Sequence, residues 1–229
     1  MTILSNGVIN TRLQKSSKIT ILLLWGIFAK MRYEEARDSL KKLGQTILSP
    51  LLVLLHKAGV TPNLITWVGF LLLLPAVYFL TVGRFVPAAL IIIFASLFDM
   101  LDGALARKMG KITKFGGFLD STIDRFSEGV LYLGILTYYS GTNNSNGIIL
   151  SYLTLLFSFL VSYIRARASG LKIDCEIGIF TRPERLIALI IGLLINRVIE
   201  IMILISFFSF ITVIQRMWLV YKEAKKLDK

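Results

Sequence analysis

The sequence predicts an all-α, polytopic integral membrane protein with about six transmembrane helices and an N-terminal amphipathic helix at the membrane interface. Three observations predict it. Hydrophobic residues make up 55% of the 229, the mean hydropathy is +0.71, and apolar runs recur at close to the ~20 residues a helix needs to cross a hydrocarbon core. A soluble domain of this size could not hide so much apolar surface, so the bilayer is the natural solvent.

Residues 1–30 read as an N-terminal extension. Within it, "ITILLLWGIFA" follows Arg12, Lys15 and Lys18 in the manner of a signal-peptide core. The run is short for a span and lacks a convincing cleavage site, so Met31 is an alternative start. Residues 31–60 read as a juxtamembrane amphipathic helix. Leu40, Leu43, Ile47, Leu51, Leu54 and Leu55 recur at helical spacing opposite Arg37, Lys41 and Lys42, with a bend at Pro50.

The six-helix domain occupies residues 61–229, with spans expected at 64–82, 85–101, 126–139, 147–164, 186–195 with its flanks, and 198–214. Thr61 is a helix cap and Pro62 takes the first helical position, where its missing N–H is no loss. The same logic covers Arg182-Pro183-Glu184 before the fifth span. "GTNNSNG" is a polar turn on the outer side.

Orientation follows from the cations, because Lys and Arg concentrate in cytoplasmic loops. Arg84 and Arg197 fall in turns on one side. The clusters at 107–114, 165–172, 182–185 and 216–229 fall on the other, so both termini and that face of the protein are expected in the cytoplasm. This asymmetry, with attraction to anionic headgroups of membrane lipids, accounts for most of the net charge of +12. Nucleic-acid binding is excluded, since no soluble basic domain exists to do it. The single cysteine, Cys175, excludes an internal disulfide and a cysteine metal cluster. The lone His56, beside Lys57, reads as an interfacial residue.

In a chain with 14 acidic residues, Asp99, Asp102, Asp120 and Asp124 crowd one short stretch between apolar runs. Spacings of three and four put each pair on one helix face. The first pair lies near the inner end of the second span and the second near the inner start of the third, so all four reach one membrane depth. Like charges gathered there need cations. A salt-bridge cluster with Arg107, Lys108 and Arg125 would not require four aspartates on two coordinated faces. Hard divalent cations explain them better, since carboxylates suit Mg²⁺ or Mn²⁺ and neither His nor Cys accompanies them. Gly103 and Ala106 keep the ligand face low, and Arg107 offers a planar fork to phosphate oxygens.

Asp99-x-x-Asp102-Gly103-x-x-Ala106-Arg107, followed by Gly116, Asp120 and Asp124, resembles at every fixed position the signature of the CDP-alcohol phosphatidyltransferase family. The resemblance implies an integral-membrane enzyme that joins the phosphatidyl group of CDP-diacylglycerol, or a similar CDP-lipid, to the hydroxyl of a small polar alcohol and releases CMP. It implies two metal ions, one on Asp99, Asp102 and Asp120 and the other on Asp99, Asp120 and Asp124, with Asp124 also taking the proton of the attacking hydroxyl. It implies CDP-lipid contacts at Asn63, Thr66, Gly103, Ala106, Arg107 and Thr113, and a homodimer.

The acceptor is read from the remaining inner cations. Arg165 and Arg167 end the fourth span while Arg182 and Arg185 start the fifth, a set suited to bidentate phosphate recognition. "SYIRARA" and "RPERL" resemble stretches of prokaryotic phosphatidylinositol-phosphate synthases, which use inositol phosphate. Glycerol-3-phosphate, the acceptor of a phosphatidylglycerophosphate synthase, is the runner-up. A small cation transporter is the rival from another class, but it would carry its carboxylates near the bilayer centre on broken helices.

Overall fold

The computed structural model describes residues 54, 57–110 and 113–227. The extension at 1–30, nearly all of the helix expected at 31–60, and His56 lie outside the described residues. Six helices follow: α1 (Pro62–Thr81), α2 (Phe85–Lys108), α3 (Lys114–Gly141), α4 (Ser145–Gly170), α5 (Arg182–Leu194) and α6 (Val198–Leu227). No strand occurs among the described residues.

Local chemistry sets the helix starts. The Thr61 hydroxyl accepts from the Leu64 N–H at 3.3 Å with Pro62 next in line. Thr113 accepts from the Gly116 N–H at 2.9 Å and the Asn144 side chain from the Gly147 N–H at 3.0 Å. At α5, the Glu184 carboxylate accepts from the Thr181 backbone N–H at 2.8 Å and from its hydroxyl. The bonds from backbone N–H groups serve donors exposed at a helix start.

α1 packs against α2 and α3, α4 against α3 and α6, and α5 against α2 and α6. Leu73, Ala76 and Leu80 of α1 meet Ala88 and Ile92 of α2, Leu131 and Ile135 of α3, and Leu189 and Leu193 of α5 in the core. Gly134 lets α1 and α3 approach, since a Cβ there would lie 3.1 Å from Leu80 Cβ and 3.1 Å from the Val77 carbonyl oxygen. The α4–α6 seam is different in kind. Ser151, Thr154 and Ser158 face Ser206, Ser209 and Thr212, all buried, and the Thr154 and Ser206 hydroxyls bond at 2.7 Å. Small side chains permit such close contact where lipid offers no hydrophobic drive for helix association.

The outer surface is apolar. α1 has a hydropathy of 2.1 over a window only 28% buried, and Leu71, Tyr78, Phe94, Leu133, Phe159 and Phe207 are exposed. Such a surface fits lipid, and the protein is a multi-pass membrane protein. α1, α2, α4 and α6 are long and apolar enough to cross. α3, with 28 residues, is long enough but carries Asp120, Asp124, Arg125 and Glu128. α5 departs from the expected span: its 13 residues reach about 20 Å, against a core of about 30 Å.

Candidate active site

Antiparallel succession brings the starts of α1, α3 and α5 and the ends of α2 and α4 to one end of the bundle. There the two helices carrying the aspartates converge. Carboxylate oxygens of Asp99, Asp120 and Asp124 all lie within 4.8 Å of one another. Three anionic oxygens converging without nitrogen or sulfur fit a hard divalent cation. Their repulsion is offset within the protein by Arg182, whose Nη1 lies 3.0 Å from Asp99 Oδ2 and whose Nη2 lies 2.7 Å from Asp124 Oδ1. Arg125 adds a weaker approach to Asp124 at 3.6 Å.

Asp102 stands beside the trio. It is 5% exposed and accepts from the Thr66 hydroxyl at 2.5 Å and from the Gly103 N–H, so it ties the start of α1 to the end of α2. Asn63 lies near the start of α3: a Cβ on Gly116 would meet Thr113 Oγ1 at 2.9 Å and Asn63 Oδ1 at 3.4 Å. Arg107 is exposed and folds back over Gly103, where a Cβ would lie 3.4 Å from its Nη1. Ala106 is half-buried on the same stretch. Of the residues expected at the CDP-lipid, Thr66 and Gly103 thus contact Asp102, while Asn63 and Thr113 gather at Gly116 and Arg107 lies over Gly103.

The four arginines read as an acceptor pocket have separate attachments. Arg182 sits on the aspartates. Arg185, 1% exposed, grips Glu128 through Nε at 2.7 Å and Nη2 at 2.9 Å. Arg165 pairs with Glu176 at 3.0 Å near the surface, and Arg167 is exposed at the end of α4. A cavity bounded by α1, α2, α3 and α5 is lined by Asp99, Asp124, Glu128 and Arg182 and by apolar residues that include Leu73 and Leu189.

Two polar residues of this region escaped the sequence reading. Glu128 follows Asp124 by four, a spacing that could have placed it on the same face. Arg216, which the sequence groups with the cations of 216–229, is buried at 2% exposure. Its Nε donates to the Ile177 carbonyl at 2.7 Å and its Nη1 to the Val161 carbonyl, so it pins the α4–α5 connection to α6. No local sequence signal marks that role.

Residues 59–221 match the family model of the CDP-alcohol phosphatidyltransferases. The archaetidylinositol phosphate synthase of Pyrococcus horikoshii is 38% identical over 85% of this chain and 95% of its own. The phosphatidylinositol phosphate synthase of Cutibacterium acnes is 32% identical over 64% of this chain and 72% of its own. Among solved structures, Mycobacterium tuberculosis phosphatidylinositol phosphate synthase with CDP-DAG bound aligns at a TM-score of 0.73 and 32% identity, covering 77% of this chain and 94% of that one. The same enzyme in complex with manganese and citrate aligns at 0.71, covering 75% and 88%.

Proposed function

Because the chain belongs to the CDP-alcohol phosphatidyltransferase family, we propose that it transfers the phosphatidyl group of CDP-diacylglycerol, or of a similar CDP-lipid, to a hydroxyl of inositol phosphate. The observation that carries this reading is the convergence of Asp99, Asp120 and Asp124 with Arg182 across them. The carboxylates form a metal-ligand set, and the guanidinium suits the phosphate of a charged acceptor. The relatives named for inositol phosphate products support that choice of acceptor.

Two Mg²⁺ ions, or Mn²⁺, held by Asp99, Asp102, Asp120 and Asp124 would neutralise the diphosphate and polarise the phosphorus under attack. Asn63, Thr66, Gly103, Ala106, Arg107 and Thr113 border the space assigned to the CDP-lipid, and Arg107 offers its fork to phosphate oxygens. Arg182 receives the acceptor phosphate, with Arg165, Arg167 and Arg185 completing the basic surround. The acceptor hydroxyl oxygen forms a bond to the lipid-bearing phosphorus as the bond from that phosphorus to the CMP oxygen breaks. Asp124 takes the hydroxyl proton, a task that requires a carboxylate close to the nucleophile. The protein is assigned to the cell membrane as a homodimer, with this end of the bundle and both termini in the cytoplasm.

The test offers purified protein CDP-diacylglycerol and Mg²⁺ with inositol phosphate, glycerol-3-phosphate or serine, and follows CMP. Release with inositol phosphate at least tenfold faster than with the others is expected. Preference for glycerol-3-phosphate would reassign the acceptor. No CMP from folded protein with any of them would remove the transferase reading.

A further inference from the structure

We propose that Glu128 is a positioning residue for this transfer: by holding Arg185 it sets α5 so that Arg182 faces the aspartate trio, and it keeps a second guanidinium off that trio. The inference rests on the functional reading above. α3 and α5 are joined by two ion pairs one helical turn apart, since Asp124 and Glu128 are four residues apart on one helix and Arg182 and Arg185 three apart on the other. The outer rung is partly open, with side-chain exposures of 26% for Arg182 and 13% for Asp124. The inner rung is bidentate and its arginine is sealed at 1%.

Cohesion alone does not account for the inner rung. Well-packed apolar residues at such a place are often as stabilising as a buried ion pair. Glu128 also lines the cavity that contains Asp99, Asp124 and Arg182, whereas Arg185 stands behind it. α5 packs on α2 and α6, so its polar link to the carboxylate helix runs through these two rungs. Without the Glu128 charge, Arg185 becomes an uncompensated buried cation about one turn from Asp124. Asp124 is then drawn out of the metal-ligand set to neutralise it.

The experiment compares full-length wild type with Glu128→Gln, measuring Mn²⁺ affinity of the protein alone by electron paramagnetic resonance, and steady-state constants at saturating Mn²⁺. Glu128→Gln is expected to weaken Mn²⁺ at least tenfold and raise the acceptor KM at least tenfold, with the CDP-diacylglycerol KM changed less than threefold. Glu128→Gln combined with Arg185→Gln removes the stray cation, and is expected to restore Mn²⁺ affinity to within threefold while the acceptor KM stays high. Mn²⁺ affinity and acceptor KM within twofold of wild type in folded Glu128→Gln would overturn the proposal, as would a double variant that restores nothing. Should Glu128→Gln fail to fold, Glu128→Asp, which keeps the charge on a shorter stem, is expected to raise the acceptor KM while retaining Mn²⁺, and an unchanged KM would overturn the proposal. If wild type accepts none of the alcohols, the Mn²⁺ comparison still decides this proposal apart from the functional reading.

Discussion

At the scale of single residues, Asp124 meets two demands with one carboxylate, as a metal ligand and as the acceptor of the nucleophile's proton. An amide fails at both. Asp124→Asn is expected to lower CMP release by at least the ~10²–10⁴-fold attributable to general-base catalysis, with helical circular dichroism unchanged; turnover within tenfold of wild type would remove the role. Arg182→Gln is expected to raise the acceptor KM at least tenfold for a phosphorylated alcohol and by a smaller factor for an unphosphorylated one, measured by the same CMP assay. The aspartates were legible from the sequence because helical spacing alone puts each pair on one face. The attachment of Arg182 to Asp99 was not legible, because it bridges 83 positions of chain and depends on which helix ends meet. Asp102 illustrates the same limit, since spacing groups it with Asp99 while its buried bond to Thr66 turns it toward α1.

At the scale of helices, the starts were the most readable features. The fold uses Thr61-Pro62 as read, whereas the start read at Arg182-Pro183-Glu184 takes its cap one residue earlier, from Thr181, which closes on Glu184. Helix length was less readable at α5, where an apolar run merges with its neighbours across the turn at Asn196 and Arg197. Close approaches between helices leave fainter traces still. Gly134→Leu is expected to force α1 from α3, costing roughly 1–3 kcal/mol as overpacking typically does and lowering the melting temperature in detergent; an unchanged melting curve would show that the helices can separate there freely. The hydroxyl seam between α4 and α6 looks in sequence like scattered serines and threonines within apolar spans, and becomes a contact surface only when the partner helix is known.

At the scale of the whole molecule, the asymmetry of basic residues carries the proposed orientation, which can be checked across α4. Burial pushes the Cys175 thiol above its usual range, so it gives little background to a maleimide reagent. In intact cells a membrane-impermeant maleimide is expected to label Ser145→Cys and spare Ser169→Cys until the membrane is opened; the reverse pattern would invert the assigned orientation. The short reach of α5 has a consequence for the chemistry. A helix of 13 residues reaches about 20 Å and cannot join both faces of a ~30 Å hydrocarbon layer. The guanidinium that bridges Asp99 and Asp124 is thus carried on the first turn of a helix too short to cross, and on the proposed reading the soluble alcohol and the lipid-linked nucleotide meet beside it. Exclusion of water from that meeting place would favour transfer over wasteful hydrolysis of the nucleotide-linked substrate.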